Sequence, residues 1–88
     1  MTIKDGMILT NLGDSYAVVL SGEDSGFRGI IKLNKTGADI WKLIEEGLQE
    51  SEIADRLVEK YDGIDFDDAL RDVNTIVEVL CNKGILSK

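Results

Sequence analysis

Polar and apolar positions alternate along the first third of the chain and then change to a helical rhythm. "MILTNL" (7–12) is apolar and β-favouring, and "SYAVVLS" (15–21) places Tyr16, Val18 and Leu20 on one face and Ala17 and Val19 on the other. Between them "GD" at 13–14 supplies a tight turn, so the two segments are expected to form a hairpin. "GEDSG" (22–26) reads as a loop. A third strand is expected over 27–33, with Phe27, Gly29, Ile31 and Leu33 on one face and Arg28, Ile30 and Lys32 on the other.

From Asn34 onward the period becomes that of helices. Asn34 is a good N-cap for a helix over 35–46, in which Ala38, Trp41, Ile44 and Leu48 recur on one side and Gly47 fits the position just past the end. A second helix over 50–61 carries one apolar stripe, Ile53, Ala54, Leu57, Val58 and Tyr61, and "DG" at 62–63 stops it. A third, over 66–83, starts after Asp65, with Asp68 three residues on in a capping-box-like arrangement. Its apolar face is wide: Phe66, Ala69, Leu70, Val73, Ile76, Val77 and Leu80. Gly84 ends it, and Ile85 and Leu86 are expected to fold back on the core. The order β-β-β-α-α-α predicts a single small α+β domain over 1–88, a three-stranded antiparallel sheet followed by three helices. If the third strand pairs only with the second, one of its edges stays open, and an open edge carries unpaired N–H and C=O groups that must be protected or used.

Composition narrows the chemistry. The formal net charge is −7 over 88 residues, which opposes binding to phosphate backbones or to anionic membrane surfaces. No apolar run approaches the ~20 residues of a bilayer span, and "MTIKDGMILT" does not read as a secretion signal. The one cysteine, Cys81, cannot form an internal disulfide, so the expected compartment is the cytoplasm.

Zinc sites favour Cys and His, and the chain has no histidine. The acidic pairs 67–68, 62 with 65 and 45–46 lack the alternation of a calcium loop and read as helix caps and solvated faces. Cys81 has no histidine to activate it and sits near a helix C-terminus, which disfavours a thiolate. Glycines 22, 26 and 29 are not followed by a helix N-terminus and are read as turn residues. "NKTG" (34–37) is read as capping, and Trp41, on the apolar stripe, as packing. No catalytic constellation, cofactor or metal is expected; what remains is a binding or scaffolding module whose most specific feature is the open edge, a place where a peptide strand can add.

"LNKTGADIWKLIEEG" resembles the signature of the coenzyme PQQ synthesis protein D (PqqD-like) family through Leu33, Asn34, Thr36, Gly37, Ile40, Trp41 and Gly47. "EIADRLVEKYD" (52–62) is similar to the family's second helix. "DVNTIVEVLCNKGIL" (72–86) resembles its last helix and ending through Asp72, Val73, Leu80, Gly84, Ile85 and Leu86. One departure is Gln49, where the family often has a capping Thr; it moves the expected cap to Ser51 or blunts the helix start. The resemblance implies a winged helix-turn-helix-like fold, the RiPP recognition element, which binds the leader segment of a ribosomally made precursor peptide. It implies that the leader adds to the third strand, lies in the groove between that strand and the third helix, and is passed to a modifying enzyme such as a radical S-adenosylmethionine enzyme or a leader peptidase.

Carried onto this sequence, the strand-adding segment is Arg28, Gly29, Ile30, Ile31 and Lys32. Gly29 either lets another backbone approach or marks a bulge or twist, and Arg28 and Lys32 either pair with leader carboxylates or blunt the edge. On the third helix, Leu70, Asn74, Val77 and Cys81 form one flank and Asp72, Ile76, Val79 and Lys83 the other. The first is the expected groove wall, because Leu70, Val77 and Cys81 make an apolar slot beside Asn74. The alternative reading is a winged-helix regulatory or structural partner subunit that binds no peptide. Nucleic acid is disfavoured because the third helix carries Asp67, Asp68, Asp72 and Glu78 against Arg71 and Lys83.

Overall fold

The computed structural model describes residues 1–20 and 31–87. Its elements in chain order are β1 (Thr2–Ile3), β2 (Met7–Asn11), β3 (Tyr16–Leu20), β4 (Ile31–Leu33), α1 (Lys35–Glu45), α2 (Glu50–Lys60), α3 (Phe66–Asn82) and β5 (Leu86–Ser87). β2, β3 and β4 form an antiparallel sheet in that order, the α+β arrangement expected from the sequence. The hairpin turns through Leu12–Ser15: the Leu12 N–H donates to the Ser15 carbonyl at 2.8 Å, and the Gly13 N–H donates to the Asn11 side-chain oxygen at 2.7 Å.

Caps set the helix boundaries. The Asn34 side chain accepts from the Gly37 N–H at 2.8 Å, and the Asp65 side chain from the Asp68 N–H at 2.8 Å. α2 corrects the sequence reading. It starts sharply, with Gln49 as N-cap, because the Glu52 carboxylate reaches back to accept the Gln49 N–H at 2.9 Å. α1 and α3 both close on a glycine with positive φ, Gly47 at 92° and Gly84 at 76°. In α3 the Ile85 N–H donates to Leu80 O and the Gly84 N–H to Cys81 O, the paired bonds of a Schellman end.

That turn sends Ile85 and Leu86 back into the core and lays β5 against β1, with Ile3 opposite Leu86. This second, two-stranded sheet was not expected. The core between the helices and the inner face of the larger sheet gathers Val18, Ile31 and Leu33 with Ile40, Trp41, Ile44, Ile53, Leu57, Val73, Val77 and Leu80. Among the described residues no helix is long and apolar enough to cross a membrane.

Candidate peptide-binding groove

β4 is positioned by its register on β3, with Val18 opposite Ile31 and Tyr16 opposite Leu33. Among the described residues no strand pairs with its other edge. The pleat buries Ile31 and Leu33 and exposes Lys32. Immediately after β4 the chain enters α1, and there a recess of about 200 Å³ opens. Asn34, Thr36, Gly37 and Ile40 line it from the strand end and α1; Asp72, Thr75 and Ile76 line it from α3. Gly37 keeps this junction tight. A Cβ there would lie 3.3 Å from the Leu33 side chain and from Asn34 Oδ1.

The α3 wall of this recess comes from the Asp72–Ile76 flank, not from the Leu70–Cys81 flank expected to border the groove. Val77 is fully buried in the core and offers no surface to a groove. Leu70 and Cys81 are half-buried against the core, and Asn74 is exposed; none of the three lines the recess. The apolar face of α3 is so wide that either flank fits the periodicity, and the side facing β4 is fixed only once α2 packs along the helix. Val79, 38% exposed, lies one turn beyond Ile76 on the recess side. Of the proposed strand residues, Ile31 and Lys32 lie on the open edge, while Arg28, Gly29 and Ile30 lie outside the described residues. Thr36 entered the sequence reading through the family resemblance and not as a site residue, and Thr75 was missed, since its spacing is that of an ordinary helix position.

A polar cluster that periodicity did not reveal ties α1 to α2. Asp39 is buried, accepts a short hydrogen bond from the Tyr61 hydroxyl, and sits 3.1 Å from Lys60 Nζ. Burial alone pushes the Asp39 pKa up. The Tyr61 and Lys60 hydrogen bonds, with the charges of Lys60 and Lys42, outweigh it and hold the carboxyl below its ordinary value of 3.8. The same carboxylate, together with burial, raises the Tyr61 pKa. The Lys42 ammonium lies 5.8 Å from the Tyr16 ring centroid, which brings β3 into the cluster.

A group whose folded pKa is depressed stabilises the fold above its unfolded pKa and loses that contribution as pH falls through the folded one. Stability is therefore expected to drop from about pH 3.8 downward in the wild type. Asp39→Asn should lose about 1.5–3 kcal/mol at neutral pH and flatten the acid limb to which Asp39 contributes. Urea melts across pH check this; an unchanged acid limb would show that the carboxylate is not coupled to folding.

Beside these features stand the likenesses to known proteins. A model of the family described as "Coenzyme PQQ synthesis protein D (PqqD)" matches residues 16–86. Among solved structures, TbiB1 in complex with the TbiA(beta) leader peptide is 26% identical to this chain, with a TM-score of 0.77 over 99% of this chain and 95% of that one. Lasso peptide synthetase B1 complexed with the leader peptide is 21% identical, with a TM-score of 0.79 over 99% and 96%, and speaks for the fold alone. No curated protein matches the sequence.

Proposed function

The chain belongs to the coenzyme PQQ synthesis protein D family, and we propose that it is a non-catalytic, cytoplasmic peptide chaperone. It binds the leader segment of a ribosomally made precursor by strand addition to β4 and presents the precursor to a modifying enzyme. The observation that carries the reading is the open β4 edge, with a recess against α3 opening just after the strand's end. An extended peptide satisfies the edge's backbone groups, and the recess reads one of its side chains. The likeness to a chain solved with a leader peptide supports the same occupant. A radical S-adenosylmethionine enzyme and a leader peptidase are the two partner classes consistent with the family. Arg28, Gly29 and Ile30 are proposed to continue the edge upstream of Ile31.

Titration of the isotope-labelled domain with the leader of a precursor encoded beside its gene tests the proposal. Saturable shifts are expected in the amides of 31–33 and along α3 from Asp72 to Lys83, at micromolar peptide. Shifts confined to α2, or none, would remove strand addition at β4 and favour a structural subunit that never touches the peptide.

A further inference from the structure

The wall of the groove carries an ordered set of side chains. Asp72, Ile76, Val79 and Lys83 follow one another along one flank of α3, each three or four residues after the last. Asp72 lines the recess at the end of β4. Ile76 is half-buried beside it, and Val79, farther along, leaves apolar surface in water. Lys83 caps the far end of the helix. Neither Asp72 nor Lys83 has a salt-bridge partner among the described residues, although Asp68 and Arg71, a turn away, pair with each other at 3.3 Å.

The rim of the recess is also rich in acceptors. The Thr75 hydroxyl spends its proton on the Arg71 carbonyl at 2.9 Å, so toward a ligand it offers lone pairs beside the Asp72 carboxylate. A donor-bearing cation satisfies both acceptors. An anion there is repelled by Asp72 and finds no proton on Thr75.

We propose that this flank reads a charge order in the bound leader: a basic side chain at Asp72, an apolar one on Ile76 and Val79, and an acidic one at Lys83. The inference rests on the peptide-binding reading and specifies its ligand class. The two charges are separated by about 16 Å along the helix. An extended chain covers about 13 Å in four residues and keeps alternate side chains on one face. Four is the even spacing nearest to this separation, and side-chain reach covers the remaining few ångströms, so the leader segment places its cation and anion about four residues apart with an apolar residue midway. Because the two ends carry opposite charge, the same code fixes which way the leader runs; reversing the peptide would set like charges against each other at both ends.

Short random peptides displayed on phage, selected on the full chain and on its Asp72→Lys and Lys83→Glu variants, test this. Both substitutions sit on exposed helix surface or its cap, and far-ultraviolet circular dichroism checks that the variants fold. Wild-type binders are expected to share Lys or Arg and Asp or Glu about four positions apart, always in the same sense. Asp72→Lys should replace the cation by an anion among its own binders and weaken wild-type-selected peptides at least about tenfold, equivalent to 1.4 kcal/mol. Lys83→Glu should invert the preference at the other end. Peptides that shift the amides of 31–33 and 72–83 yet show no charge order, or an order untouched by either substitution, would overturn the code and leave strand addition standing. Failure of any selected peptide to shift those amides would overturn the peptide-binding reading along with it.

Discussion

Trp41→Ala is expected to cost about 3–5 kcal/mol, a large share of the 5–15 kcal/mol typical of a whole small domain. Trp41 is fully buried on α1 and belongs to the cluster that joins that helix to the sheet and to α3. Truncation leaves a cavity the size of an indole, which the surrounding Ile and Leu side chains fill only in part. Trp41→Phe separates packing from polarity. The indole Nε1 is buried and finds no acceptor among the described residues, so removing it breaks no hydrogen bond of the described structure. The phenylalanine variant should therefore lose much less than the alanine variant. Chemical denaturation of the three proteins checks this. Equal losses in both variants would mean that the indole nitrogen, and not the bulk of the ring, carries the effect. Under conditions where each variant is folded, leader affinity should be unchanged, because Trp41 lines none of the groove.

The tryptophan shows what a sequence of this kind discloses. Its place on the stripe with Ala38 and Ile44 is enough to put it inside, and the cap at Asn34 is enough to start its helix. The same holds for α2 and α3, whose stripes and terminal glycines or turns are local signals. The hairpin is legible for the same reason: strand, turn and strand are neighbours in the chain. The β1–β5 pair is not legible, since two-residue strands have no period to detect and their partners lie at opposite ends of the sequence. The Asp39–Tyr61–Lys60 cluster escapes similarly. It joins positions more than twenty apart, and an aspartate on an amphipathic helix looks solvated until another helix covers it.

The rotation of α3 is the most consequential of the illegible features. Leu70 and Ile76 lie on opposite sides of the buried row Val73, Val77 and Leu80, and both are half-buried. Hydrophobicity cannot choose between them. Tertiary packing does, and it turns Asp72, Thr75 and Ile76 toward the strand end. Arg28, Gly29 and Ile30 were named from strand alternation and the resemblance together, and they remain a proposal about the edge upstream of the described β4.

That choice of flank sets the second large effect. Val79→Glu and Ile76→Glu are each expected to weaken leader binding by roughly 30-fold or more, since a carboxylate must be covered by an apolar stretch of peptide, at a cost of at least about 2 kcal/mol. Val79 is the cleaner site, because its side chain is partly in water and the fold tolerates a charge there; Ile76 touches the core and also tests stability. Asn74→Ala, on the opposite flank, is exposed and outside the recess and should bind as wild type. Isothermal titration with the same leader peptide distinguishes the two walls. Loss of binding in Asn74→Ala with full binding in Val79→Glu would place the peptide on the Leu70–Cys81 side and show that the recess beside β4 is not its seat. The expected pattern joins backbone pairing at Ile31–Leu33 with side-chain reading from one face of α3, so that neither the edge nor the helix alone gives the affinity.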